Sequence, residues 1–330
     1  MKFSITEKSV LATLVFYDCF GVALTGFEVF RYCFNLKQKI KDLTLDKTIK
    51  VLDRLTKENL IDTKNGFYFL RKKSSLYSQR INKIKISEAK WKILRKIAKW
   101  FSIVPYVRCV FVSGALAINN ADHESDLDVL IITKPGRIWT ARLGFLFTMQ
   151  ILGKRRRRID EVAINKVCAN HFISQDSLEI PYHSIYTANV ISNLVPILGS
   201  EKDINDFYDS NYWIKEYVLD NKNLNKDNLR TINERKIFVS IKRIKESILS
   251  NGFGDLIEKI LKSIQLNKIK KNKETYELGG RVVATDKQLE FHPRSAEAKI
   301  IRQFNEKTKK LGLTEFINQK DSGLNGAILS

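Results

Sequence analysis

Arg108-Cys-Val-Phe-Val-Ser-Gly114-Ala-Leu-Ala-Ile-Asn-Asn-Ala-Asp-His-Glu-Ser125-Asp126-Leu127-Asp128-Val-Leu-Ile-Ile-Thr133 is the stretch whose reading decides the fold. It opens as a short β-rich run, Arg108 to Ser113, and breaks at Gly114. A helix-competent Ala-Leu-Ala-Ile follows, then a polar loop from Asn119 to Ser125, then a mostly apolar strand from Asp126 to Thr133. Residues i and i+2 of a strand share a face, so Asp126 and Asp128 project together while Leu127 turns to the buried side. Two carboxylates held that close repel unless a divalent cation lies between them. Magnesium suits such a pair, because it takes hard oxygen ligands, keeps several waters and bridges to substrate phosphates. The glycine turn lets the backbone approach a polyphosphate closely, and free N–H groups at the start of the short helix can hold one phosphate.

Read together, these residues resemble the DNA polymerase β-like nucleotidyltransferase superfamily. Its signature is an apolar residue, Gly, then Gly or Ser, a spacer of about ten residues, and Asp-apolar-Asp-apolar. Here that reads Ser113-Gly114-Ala115, the spacer Leu116 to Ser125, and Asp126-Leu127-Asp128-Val129. The resemblance implies an α+β fold with a small mixed β-sheet nucleotidyltransferase core flanked by helices. It implies a nucleoside triphosphate bound with Mg²⁺, two ions in the active form, and transfer of the nucleotidyl group to an acceptor hydroxyl. Asp126 and Asp128 become the catalytic and metal-binding pair, with Ser113, Gly114, Ala115 and Ser125 around the nucleotide.

Two departures stand out. Ala115 replaces the family's second-position hydroxyl, and Ser113 stands one residue early. The family also draws a third carboxylate from a later strand, and the best later strand, Lys166 to Ile173, offers Asn170 instead. Asn170 is the expected third ligand through its carbonyl, while Asp160, Glu161 and Glu179 flank that strand. Lys134 and Arg137, in the turn after the acidic strand, are candidate phosphate contacts or ordinary turn residues. The run from Lys154 to Arg158 suits either a nucleic-acid backbone or a solvated helix end. An alternative of another class is a nucleic-acid-binding regulator or complex subunit whose nucleotidyltransferase-like domain no longer catalyses.

Around this core the chain divides, by pattern, into residues 1–72, 73–104, 105–183 and 184–330. The first part reads as three helices and a hairpin turning at Asn65-Gly66, which resembles a winged helix-turn-helix. Its third helix carries Leu45, Ile49, Leu52 and Leu55 on one face and Lys47, Lys50, Arg54 and Lys57 on the other. Residues 72–85 form a basic connector, and a helix from Ser87 to Phe101 is expected to keep Lys90, Lys92, Arg95, Lys96 and Lys99 outside. A further helix from Ile138 to Leu152 is expected to bury Trp139, Leu143, Leu146, Phe147 and Ile151. The C-terminal part reads as mainly helical, with helices at Tyr186 to Leu198, Ile204 to Leu219, Ile237 to Leu266 and Ser295 to Leu311. A polar linker lies near residues 221–236 and a hairpin near 281–292.

Lys and Arg total 57 against 36 acids, a formal charge of +21, which favours a polyanionic partner, with RNA favoured over DNA as the acceptor. Biased codon composition is the bland source of the same lysines. Cys19, Cys33, Cys109 and Cys168 lack CxxC spacing and sit in apolar runs, which suits small core residues in a reducing compartment. The N-terminus lacks a signal-peptide pattern, and the longest strongly apolar run, Leu143 to Leu152, is half a membrane span. A cytoplasmic protein without membrane contact is expected. His123 and His171 each stand alone in sequence and read as structural histidines, and His183 and His292 carry no signal.

Overall fold

The computed structural model describes residues 3–157, 160, 162–219, 230–277, 279–293, 295–322 and 326–330. Ser4 starts helix α1 (Ile5–Asp18) and Thr25 starts α2 (Gly26–Arg31), each through a reciprocal capping box with Glu7 or Glu28 three residues on. Thr44 caps α3 (Leu45–Lys57) by accepting from the Lys47 N–H. Between α1 and α2 lies the two-residue strand β1 (Leu24–Thr25), which pairs with the hairpin β2 (Ile61–Lys64) and β3 (Phe67–Leu70) in the order β1-β3-β2. Asn65 and Gly66 both take positive φ, 49° and 79°, as a tight hairpin turn of right twist demands.

One helix, α4 (Ser75–Ala98), then runs through what sequence divides into connector and helix. After it come β4 (Val107–Val112), α5 (Gly114–Ala117), β5 (Leu127–Thr133), α6 (Ile138–Ile151), β6 (Val167–Ser174), α7 (Ile185–Ser192), β7 (Val195–Leu198) and α8 (Glu201–Ser210). The chain ends with α9 (Lys236–Ile248), α10 (Gly252–Lys270), β8 (Arg281–Ala284), β9 (Gln288–His292), α11 (Glu297–Lys310) and β10 (Gly326–Leu329). The second sheet has seven strands in the order β10-β8-β9-β6-β5-β4-β7. It is mixed: β5 runs parallel to β6 and antiparallel to β4, and β9 runs antiparallel to β6. The α+β class is therefore as expected, and so is the 281–292 hairpin.

The C-terminal part is less helical than its composition suggests. Four of the seven strands, β7, β8, β9 and β10, come from beyond residue 184 and complete the sheet on both sides. Tyr186 to Leu198 is a helix only to Ser192; Pro196 then lies in β7, where a missing N–H is tolerated at a sheet edge. Ile237 to Leu266 splits into α9 and α10 around residues 249–251. Of the linker reading, residues 221–229 lie outside the described residues, and its last residue, Lys236, starts α9.

Two buried clusters sandwich the large sheet. On one face, Leu130, Ile132 and Ile173 join α1, α7, α8 and α11 in a core that also takes in Leu24, Leu52 and Ile61. On the other, Val129, Ile131 and Phe172 pack with Trp91, Trp139 and Phe145. The first 72 residues thus share their core with the chain's C-terminal helices, as the Phe16–Phe304 edge contact at 5.5 Å illustrates. Helix α1 is buried nearly all round, which is what a helix apolar on every side requires. Helix α6 shows the opposite correction: Trp139 is buried, but Phe147 is 62% and Ile151 69% exposed. Its sequence is apolar on several faces, so periodicity alone does not single out the inward one.

Candidate metal and nucleotide site

β5 begins in the middle of the sheet, and its first turn outward carries the acids. Asp126 precedes the strand and Asp128 lies within it, both half-buried, with Leu127 fully buried between them as the alternation requires. Gly114 faces this pair. Its φ is +65°, and a Cβ there would stand 2.6 Å from Asp128 Oδ2, so only glycine lets the bend close on the acid. The Ser113 N–H donates to the Asp128 carbonyl at 3.0 Å, which ties the bend to the strand. Ser113, Gly114, Asp126 and Asp128 therefore meet in space, and Ala115 follows on the first turn of α5.

The loop between bend and acids is held by α4, which the sequence reading missed. Lys90, expected outside, is buried, and its ammonium uses all three donors: His123 O at 2.9 Å, Ser125 O at 2.7 Å and Asn165 Oδ1 at 3.0 Å. Burial pushes its pKa down, opposed by the nearby Asp126 and Asp122 charges. Arg80, also buried, donates to Ile118 O at 2.9 Å and Asn119 O at 2.8 Å, and Trp91 Nε1 donates to Asn119 Oδ1 at 3.2 Å. Ser125 accepts from the Asp122 N–H at 2.9 Å through its hydroxyl, so it shapes the loop. A basic helix gives no sequence sign of which cation turns inward; burial here is decided by three waiting carbonyl oxygens.

β6 supplies the rest of the site. Cys168 is the cross-strand partner of Asp128, and a bulge between Val129 and Leu130 leaves Asn170 out of register. The ligand atoms of Asp126, Asp128 and Cys168 lie within 4.8 Å of one another. Asn170, the expected third ligand, donates from Nδ2 to Asp128 Oδ1 at 3.2 Å. Arg156, from the run after α6, ion-pairs with Asp126 and approaches Cys168 Sγ at 3.6 Å. Asp160 turns instead to Lys166 at 2.9 Å and Glu179 to His183 at 3.3 Å, while Glu161 and Arg158 lie outside the described residues.

The electrostatics follow from this packing. Burial, then the Asp126 charge, pushes Asp128 up to about 7, against the pull of Arg156, Cys168 and Asn170. Burial and the same two acids push the Cys168 thiol well up. Two oxygen donors beside a bend with no side chain fit one hard cation, which would share with Arg156 the charge of the acid pair. For a second ion the described residues offer a thiol and an amide where a third carboxylate is expected.

Lys134 and Arg137 are not part of this arrangement. They follow the far end of β5, a seven-residue strand spanning about 20 Å, so phosphates at the acid pair are out of their reach. Lys134 lies over the Tyr106 ring at 5.8 Å, and Arg137 pairs with Asp255 and lies 5.6 Å from the same ring. No family model, curated protein or solved structure matches this chain.

Proposed function

We propose that the chain is a Mg²⁺-dependent nucleotidyltransferase, moving a nucleotidyl group from a nucleoside triphosphate to an acceptor hydroxyl, with RNA favoured as acceptor. The carrying observation is the bend at Gly114 closed on Asp128, with Asp126 beside it. In this reading Asp126 and Asp128 hold the metal, Gly114 with Ser113 and Ala115 leaves room for the triphosphate, and Asn170 orients Asp128. A bound divalent ion supplies charge neutralisation at the transferring phosphate. The 105–183 segment acts as the nucleotidyltransferase-type core and the first 72 residues as a winged-helix-like accessory unit. The net charge of +21 and the exposed Lys47, Lys50 and Lys57 on α3 support RNA contact. In the described residues, no helix is long and apolar enough to cross a membrane.

A second reading has its own observation. Cys168 and Asn170 stand where a third carboxylate is expected, and Arg156 neutralises Asp126 internally. A nucleic-acid-binding subunit that has lost catalysis would tolerate both. One experiment separates the two: the protein is incubated with each labelled triphosphate, Mg²⁺ and total cellular RNA, beside Asp126→Ala/Asp128→Ala. Label on RNA from the wild type, absent with the double variant, is expected. Label that persists in the variant overturns the assignment, and RNA retention without any label supports the second reading.

A further inference from the structure

We propose that His171, Glu290 and His292 form a binding site for a zinc-class transition-metal ion, separate from the Asp126–Asp128 pair. Alternation and register put the three donors on one face of the sheet. Glu290 and His292 are i and i+2 on β9, and His171 is the cross-strand partner of Glu290 on β6. Their ligand atoms all lie within 4.8 Å of one another. His171 Nε2 is 3.9 Å from Glu290 Oε2, and His292 Nε2 is 3.6 Å from Glu290 Oε1. Bonds of about 2.1 Å at tetrahedral angles set ligand atoms about 3.4 Å apart, so closure needs small movements of the three ligands and withdrawal of the Gln288 amide that bridges two of them. Two imidazoles with one carboxylate are a donor set that zinc and its neighbours take and magnesium does not.

Charge is the second observation. Glu290 and Glu297 are buried at 1% and 4% exposure, and the guanidinium of Arg281 pairs with both, at 2.7 and 3.4 Å. Two buried carboxylates against one cation leave a net negative charge among the described residues at this place, which a divalent ion relieves. Gln288 Nε2 rests on Glu290 Oε2 at 3.0 Å and on His171 Nε2 at 3.1 Å, covering the lone pairs that the ion takes. Arg281 on the other oxygen serves as the kind of outer partner that steadies a ligating carboxylate. His292 is 35% exposed at its side chain, so the ion reaches the site from that edge. Bound there, it pins β9, a C-terminal strand, to β6 and so to the strand carrying Cys168 and Asn170.

The test uses the full chain, titrated with Zn²⁺ by calorimetry and with Co²⁺ by visible absorption. One equivalent is expected to bind, with d–d bands of a four- or five-coordinate nitrogen–oxygen site. His292→Gln, at the exposed edge, removes one of three ligands and is expected to abolish measurable Zn²⁺ and Co²⁺ binding while keeping the fold by circular dichroism. Asp126→Asn/Asp128→Asn is expected to retain binding. Absence of Zn²⁺ and Co²⁺ binding by the folded wild type overturns the proposal. So does binding that survives His292→Gln and is lost in the aspartate variant, which would leave the cluster as a hydrogen-bonded ion network.

Discussion

Asp128 is the residue at which fold and chemistry pull against each other. Its carboxyl is held up to about 7 by burial and by Asp126, against an ordinary value of 3.8. Between those values the folded chain keeps a proton that the unfolded chain has released. Stability therefore falls as pH rises through that window and levels off above it. In metal-free protein, Asp128→Asn removes the penalty, so its Tm is expected to exceed the wild type's at pH 8 and to converge with it near pH 4. In the proposed reading a divalent ion at this pair displaces the same proton, so Mn²⁺ affinity, read by calorimetry, is expected to drop about tenfold per unit below pH 7. A wild-type Tm that stays flat from about pH 5 to 8 would remove this charge conflict. The acid pair was legible as sequence because strand alternation is a local fact, and its glycine because the spacing resembles a known motif. Lys90, Arg80, Arg156 and Cys168 were not, since their roles depend on partners 12 to 75 residues away.

At the level of elements, helix α6 shows how distant pieces of chain complete one another. It begins after Arg137 with no side-chain cap of its own. Glu258 of α10 takes that place, accepting from Trp139 N at 2.8 Å and Thr140 N at 2.9 Å, and it also binds the Thr140 hydroxyl. A carboxylate at a helix N-terminus satisfies free N–H groups and meets the positive end of the helix dipole. Glu258→Ala is expected to lower unfolding free energy by about 1–3 kcal/mol in urea titrations. Glu258→Gln, which keeps one acceptor, should lose less. An alanine variant as stable as wild type would show that water caps α6 equally well. Helices α2 and α3 were readable because Thr25 and Thr44 are their own caps, whereas α1 was readable from its apolar spacing and its Ser4 cap emerged only in the structure. The start of α6 at Ile138 was readable from its apolar run, but its cap was not, because that cap lies 119 residues further on.

At the scale of the molecule, the 105–183 segment lies in a sheet that strands from elsewhere in the chain complete. Without β9 the outer edge of β6 is bare, without β7 that of β4 is bare, and the cover from α1, α7 and α11 is gone. Expressed alone, this segment is expected to lack a cooperative melt by circular dichroism and to elute as aggregate. A monomeric fragment with a sharp transition would restore it as a separate domain. The amino-acid sequence by itself determined the Thr25 and Thr44 caps, the Asn65-Gly66 hairpin turn and the shared face of Asp126 and Asp128, each resting on backbone geometry acting over a few residues. The α+β class and the place of Gly114 opposite the acids were expected from the resemblance in motif. Only the tertiary structure decided that C-terminal strands complete the sheet, that Lys90 turns inward, that Arg156 pairs with Asp126, and that His171 meets Glu290 and His292. Those outcomes depend on which strands pair across long stretches of chain, and pairing is chosen by the burial of whole faces at once, which no local pattern encodes.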